Sequence, residues 1–397
     1  MSFVWSDDLA AYDFGPVHPM QPVRLRLTVS LVRHLGLLTL PGVTVLDPPT
    51  ASDEELLRVH APSYLAAVEA AGRGADTTSV PVASGLGTPD NPVFPGMHEA
   101  AARIAGSTLA AARAVLAGGG RAVSLAGGLH HAMPDHASGF CVYNDIGVAV
   151  ADLLAAGVER VAYVDTDVHH GDGVQAMFAA DPRVLTISLH QDPRTIWPGT
   201  GWADDVGVAA APGTVVNLAL PRRTTDAGWL RAFHAVVPAA VRAFAPQVLV
   251  TQHGCDTHRS DPIGGLMLSV DGQRAGALAL SDLADEVCGG RWVATGGGGY
   301  DLLDVVPRTW AHLTAAAAGA PLDPSTPTPA QWLVERSAAV RRDAGGDLDP
   351  APATMGDGAP ATYRAWDTGH DPSDPVDRAI LATRRAAFPP LGLLPDD

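Results

Sequence analysis

The sequence predicts an α/β protein built on a single open, mostly parallel sheet with helices on both faces. Three observations carry this prediction. Short β-rich runs alternate with longer helical ones, the rhythm of strand–helix–strand units. The strand candidates are continuous apolar runs, as strands buried on both faces should be. Several of these runs end directly in a polar cluster, and open α/β sheets bind ligands beyond the carboxyl ends of their strands.

Along the chain, residues 1–118 are the more helical part, and MHEAAARIAGSTLAAARAVLAG (97–118) is the best helix. The Gly/Pro/Asn-rich stretch between 72 and 97 reads as one long loop, and such loops in compact domains are often functional. RAVSLAGG (121–128) reads as a strand and NDIGVAVADLLAAG (144–157) as a helix. RVAYVDTDVHH (160–170) is a strand, followed by a short helix over GVQAMFAAD. RVLTISLH (183–190) and VVNLAL (215–220) are strands. Residues 226–244 form a helix that Pro238 is expected to kink or break. QVLVTQHG (247–254) is a strand, about 273–288 a helix, and RWVATGGGG (291–299) the last clear strand. After about 320 the composition shifts toward Pro, Asp and Thr. A catalytic unit over 1–320 and an extension over 321–397 packed upon it are expected. No internal repeat is apparent.

Composition limits the function classes. Apolar residues at 47% of 397 allow a sizeable core, so wholesale disorder is not expected. A net charge of −17 argues against nucleic-acid binding and suits a cationic partner. Cys141, Cys255 and Cys288 form no CxxC pair, which reads as a reducing compartment. The acidic N-terminus has no apolar signal region, and no long apolar run suggests a membrane span. A cytoplasmic protein with no membrane partner is the expectation.

The chemistry gathers at strand ends. VDTDVHHGDG (164–173) is the densest cluster. On an extended segment alternate residues share one side, so Asp165, Asp167 and His169 are expected to point the same way. Asp256, after QVLVT, can close a metal site from a neighbouring strand. Two oxygen donors and one nitrogen leave a position open, as catalytic zinc sites do; Fe²⁺ suits the same donors. His130 and His131, after AVSLAGG, can divide the base and acid work of amide hydrolysis. A carboxylate on the outer nitrogen of each would fix its tautomer, and Asp165 and Asp172 are the candidates. The run Gly296–Tyr300 gives a backbone that can approach a ligand closely, with the Tyr300 hydroxyl placed to donate to an oxyanion. It lacks the spacing of a nucleotide fingerprint.

Taken together, HPMQPVR (18–24), DNPVFPG (90–96), GGLHHA (127–132), GFCVYND (139–145), VDTDVHHGDG, SLHQD and WPGTG (188–201), QHGCDTHRSDPIGGL (252–266) and GGGGY (296–300) resemble the zinc-dependent histone deacetylase family, most nearly its bacterial acetoin-utilisation deacetylases, on an arginase-like α/β fold. The resemblance runs from about residue 5 to 320. It implies zinc on Asp167, His169 and Asp256, with His131 as base and acid and His130 assisting electrostatically. Asp165 would pair with His130 and Asp172 with His131, and Tyr300 would donate to the oxyanion. Gly139, Phe140, Trp197 and Ile263 would line the acyl-lysine channel, Asp90 would anchor substrate backbone at its mouth, and Arg24 would flank an internal acetate channel. A structural potassium ion would lie on Asp165, Asp167, His169, Ser188 and the backbone of Leu189. Ile196–Trp197 departs from the two aromatics many members carry before PGTG, which bears on channel width. The implied activity is protein lysine deacetylation, with acetylpolyamine hydrolysis as the related reading. An inactive acyl-binding module is the reading from another class, and the intact ligands, histidines and tyrosine argue against it.

Overall fold

A computed structural model of the chain describes residues 1–74, 82–118, 120–343 and 350–396. Among these residues lie eight strands: β1 (Ser2–Val4), β2 (Thr44–Leu46), β3 (Arg121–Ser124), β4 (Val161–Asp165), β5 (Val184–Gln191), β6 (Val215–Leu220), β7 (Val248–Gln252) and β8 (Trp292–Thr295). The helices are α1 (Val23–His34), α2 (Asp53–Leu56), α3 (Pro62–Gly72), α4 (Met97–Gly118), α5 (Asp145–Ala155), α6 (Asp172–Phe178), α7 (Asp226–Phe244), α8 (Val270–Cys288), α9 (Val305–Ala317), α10 (Ala330–Asp343) and α11 (Pro375–Ala387). The strands form one sheet in the order β2-β1-β3-β8-β7-β4-β5-β6, and every pair is parallel rather than mostly so.

Alternation along the buried strands separates two apolar layers. Ala162 and Val164 of β4 join Trp292 and Ala294 of β8 in the layer shared with α1, α7, α8 and α9. Val161 and Tyr163 join Val293 in the other layer, under α4, α5 and α6. Helices thus cover both faces, as continuous apolar strands require. Helix α4 is the one described helix long and apolar enough to cross a bilayer, and 67% of that window is buried inside the fold.

Three sequence expectations need correction. β1 and β2 are not evident in the sequence, because three residues each are too short to show a period. The strands expected over 121–128, 160–170 and 291–299 stop at Ser124, Asp165 and Thr295, where the glycines and polar clusters begin. Helix α7 is not broken at Pro238. A mid-helix proline costs about 3 kcal/mol, and burial of Trp229, Phe233, Val236, Val237 and Val241 on the sheet offsets it. The loop read over 72–97 falls partly on residues 75–81, outside the described residues; the described remainder holds the end of α3, a 3₁₀ turn at Val82–Ser84 and tight turns.

Beyond 320 the chain lies on the same body. Trp332 of α10 is fully buried, and its indole N–H donates to the Leu27 carbonyl (2.8 Å). Thr383 of α11 donates to the Asn217 carbonyl of edge strand β6 (2.7 Å). Buried Arg231 of α7 makes a two-pronged pair with buried Asp377 (2.5 and 2.9 Å). Its guanidinium also donates to the carbonyls of Arg364 and Ala365. Removing one partner of a buried pair strands the other charge, at a cost of about 3–5 kcal/mol. Asp377→Ala is therefore expected to lower the urea-unfolding free energy by about that amount; a change under ~1 kcal/mol would show that α11 does not brace the sheet.

Candidate active site

The parallel register brings one row of polar residues level across the sheet. Ser124 of β3 pairs with Thr295 of β8, Thr295 with Gln252 of β7, Gln252 with Asp165 of β4, and Asp165 with Ser188 of β5. Beyond this row each backbone turns, so His130, Gly296–Tyr300, Asp256 and Asp167 are delivered to one rim.

β4 ends at Asp165, and the segment beyond it is not extended. The Asp167 N–H donates to Asp165 Oδ1 (3.1 Å), and the His169 N–H donates to Asp167 Oδ1 (3.0 Å). These local turns separate the three residues that an extended segment would put on one side. Asp165 faces His130 and the Tyr163 hydroxyl, while Asp167 and His169 turn toward Asp256. The ligand-capable atoms of Asp167, His169 and Asp256 lie within 4.8 Å of one another, all buried. His169 Nδ1 stands 3.0 Å from Asp167 Oδ1 and 3.2 Å from Asp256 Oδ2.

A divalent cation fits this group. Asp256 Oδ2 is fully buried and has no hydrogen-bond donor, although His169 is near. Two buried carboxylates this close can both ionise only beside a cation. Burial and the charge on Asp167 push Asp256 up, whereas the nearby His130 and His169 hold Asp167 well down against its own burial. Gly298 and Gly254 let the backbone close over the carboxylates: a Cβ on either would sit 2.1 Å from an oxygen of Asp256 or Asp167.

The histidine pair sits beside this group. His130 Nδ1 is 2.6 Å from Asp165 Oδ2, and His131 Nδ1 is 2.7 Å from Asp172 Oδ1. An ionised carboxylate only accepts, so each Nδ1 carries the hydrogen. The two rings lie 3.9 Å apart at their centres. Burial alone would lower both. At His130 the carboxylates of Asp165 and Asp167 outweigh it, and the pKa rises to about 9. At His131 burial and the charge on His130 prevail over Asp172, and the pKa falls to about 4. Without metal, the surroundings thus favour the charged form of His130 and the neutral form of His131.

Above them opens a pocket of roughly 380 Å³ lined by Asp90, His131, Gly139, Phe140, His169, Ile196, Trp197, Ile263 and Tyr300. The structure thus brings together every residue expected to line a substrate channel. Trp197 packs edge-on to His131 (4.6 Å) and 6.2 Å from His169, and Phe140 packs edge-on to Tyr300 (5.7 Å). Gly139 has φ +50, and a Cβ there would press on the His131 and Trp197 rings at 2.5 and 2.6 Å. Burial and the charge of Asp256 keep the Tyr300 hydroxyl far above the ordinary phenol range, so it retains its proton. Arg24 lies behind the pocket, buried, donating to the carbonyls of Gly297 (2.8 Å) and Gly299 (3.1 Å). Ser188 and Leu189 lie on β5 beside Asp165; the Ser188 hydroxyl is 2.9 Å from His190 Nδ1.

Three supporting residues escape a reading of the sequence. Asp145, at the start of α5, accepts from the N–H groups of Gly128 and Leu129 and so fixes the turn that carries the histidines. Gln252 donates to Asp167 Oδ2 (2.7 Å). Asp261 accepts from the Tyr300 N–H (2.8 Å). A polar residue closing an apolar strand was the available signal for Gln252; Asp145 bonds to backbone far away in sequence, and the local turn of Asp261 onto Ile263 and Gly264 does not announce its bond to Tyr300.

Comparison with known proteins gives the family and the fold. A family profile described as the histone deacetylase domain matches residues 18–317. The chain is 39% identical over 334 residues to the acetoin utilization protein AcuC of Bacillus subtilis, covering 84% of this chain and 85% of that one. It is 34% identical over 333 residues to AcuC of Staphylococcus aureus, with the same coverages. Among solved structures, a histone deacetylase homologue from Aquifex aeolicus superposes with a TM-score of 0.82 at 26% identity, over 96% of this chain and 99% of that one.

Proposed function

The chain belongs to the histone deacetylase family, and from that premise we propose that it removes acetyl groups from lysine side chains of proteins by zinc-dependent hydrolysis. One observation carries the reading: three convergent buried ligand atoms, one of them on His169, adjoin a largely apolar pocket that also takes in His131 and Tyr300, with the His130–Asp165 pair behind the His131–Asp172 pair. Asp167, His169 and Asp256 would hold the zinc, which when bound polarises the acetyl carbonyl and makes water more acidic. Fe²⁺ would serve with the same donors.

The chain's own residues supply the remaining chemistry. Asp172 holds the Nδ1 hydrogen of His131, which leaves the other nitrogen as a base toward the pocket. His131 takes the proton from the attacking water and returns it to the departing amine. His130, charged and fixed by Asp165, stabilises the negative charge that develops. The Tyr300 hydroxyl donates to the oxyanion of the tetrahedral intermediate. Phe140, Trp197, Gly139 and Ile263 enclose the aliphatic stem, and Asp90 at the rim takes the peptide N–H. Arg24, behind the glycine run, is placed to attract leaving acetate. A potassium ion on Asp165, Asp167, His169, Ser188 and Leu189 would brace the turns after β4.

The apolar walls favour acetyl-lysine over an acetylpolyamine, because a second ammonium inside them would be desolvated without a partner. The net charge of −17 also suits basic protein segments. The relatives' link to acetoin use extends the proposal to control of acetyl metabolism. The test is a panel of acetyl-lysine peptides and N-acetylpolyamines, with metal analysis on the same sample. Peptide kcat/KM is expected to exceed polyamine kcat/KM by about tenfold or more. The reverse order would move the reading to polyamines, and no acetate release from a metal-loaded sample would leave an acyl-binding module.

A further inference from the structure

We propose that Asp261 is the positioning residue for Tyr300, holding its backbone and the Ile263 wall of the pocket through one carboxylate. This rests on the deacetylase reading above. Asp261 is buried (8% exposed) on the loop that follows Asp256. Its Oδ2 accepts from the Tyr300 N–H (2.8 Å), while Oδ1 accepts from the Ile263 and Gly264 N–H groups (3.0 Å each). All three bonds run to backbone, and two of the residues held line the pocket.

The glycine run makes such a clamp necessary. Residues 296–299 have no side chains with which to fix themselves. Each is tied by a specific partner: Gly296 N–H donates to the Ser124 carbonyl, Arg24 donates to the carbonyls of Gly297 and Gly299, and Gly298 N–H donates to Asp167. Gly299 adopts φ +142, open only to glycine, and so redirects the chain immediately before the tyrosine. At Tyr300 itself the N–H is held by Asp261. The loop bearing Asp261 folds back on its own start, since a Cβ on Gly264 would lie 1.9 Å from the Asp256 carbonyl. Asp261 therefore links the placement of the oxyanion donor to the segment that carries a metal ligand, and sets the pocket's side wall with the same group.

The experiment compares Asp261→Ala with the parent by hydrogen exchange and by kinetics. Exchange in the segment 296–303 is expected to rise by about tenfold or more, while protection of β4 and β7 is unchanged. In the metal-loaded enzyme kcat is expected to fall about 10–100-fold, the range for loss of an orienting partner, with metal content retained. In a Tyr300→Phe background the same change should cost no more than about 2–3-fold, because the donor it positions is already gone. Unchanged exchange at 296–303, or a full additive loss in the Tyr300→Phe background, overturns the proposal. General loss of protection would show Asp261 to be a fold residue and overturns it too. Asp261→Asn, which keeps the shape but can satisfy only one side, replaces the alanine variant if that does not fold. If the parent releases no acetate, the functional reading fails, and the exchange measurement still decides the role of Asp261.

Discussion

His131→Ala is expected to lose about 10⁴-fold in kcat while keeping its metal. General acid–base catalysis contributes roughly 10²–10⁴-fold, and in the proposed mechanism one imidazole performs both transfers, which puts the loss at the upper end. His131 lines the pocket but is not among the three convergent ligands, so metal analysis should return the parent value. Turnover within tenfold of the parent would sink the assignment. The neighbour's role can be separated by pH. Burial and then the positive charge on His130 push His131 down to about 4 in the metal-free protein, which favours its basic form in mild acid. His130→Ala removes that charge and raises the His131 pKa. The acidic limb of kcat/KM should then move to higher pH, together with a lower plateau. A limb that stays put, or moves toward acid, would show that the two rings do not sense each other.

Most of this site was legible because its chemistry follows apolar strands without a gap. His130–His131, Asp167, His169, Asp256 and Tyr300 each lie within a few residues of a strand end, and the parallel sheet makes those ends one rim. The orientation of Asp165 was not legible from alternation. That rule applies only inside the strand, and β4 stops at Asp165, after which side-chain to backbone turns set direction. β1 and β2 are too short for periodicity, and they join the sheet by pairing rather than by pattern. Asp145, Gln252 and Asp261 reach the site through bonds to groups that are distant in sequence, Asp261 beside its local turn, so only the folded chain reveals those links. The pocket lining was found by resemblance rather than by spacing. Gly139 shows why: its small size matters only because the His131 and Trp197 rings converge upon it.

Asp256→Ala is expected to lose the metal and, with it, turnover. Disturbing a partner that merely orients a ligand costs about 10–100-fold in metal affinity; removing one of three ligands should exceed that. The Val168 N–H, which donates to Asp256 Oδ1 (2.9 Å), also loses its acceptor, so the turn carrying Asp167 and His169 loosens. The metal-free proteins should differ in a second, independent way. In the metal-free parent, burial and Asp167 push Asp256 up to about 8, and the two carboxylates push His169 up to about 10 despite its burial. Each group then holds a proton in the folded state that the unfolded chain has released, Asp256 between about pH 4 and 8 and His169 between about pH 6.5 and 10. These two groups therefore contribute stability that is lost as pH rises through those windows, against the opposite contribution of buried neutral histidines such as His131, His190 and His253, and the parent–variant difference isolates it. Asp256→Ala removes one of these groups and lowers the pull on His169, so its stability relative to the parent should rise with pH. Metal holds the carboxylates ionised and His169 neutral, and should flatten the dependence in the parent. The measurement is urea unfolding of the metal-free parent, the metal-loaded parent and the variant at pH 5 and pH 8. A stability advantage of the metal-free parent over Asp256→Ala that does not shrink from pH 5 to pH 8 would contradict the crowding of carboxylates on which the metal site is argued.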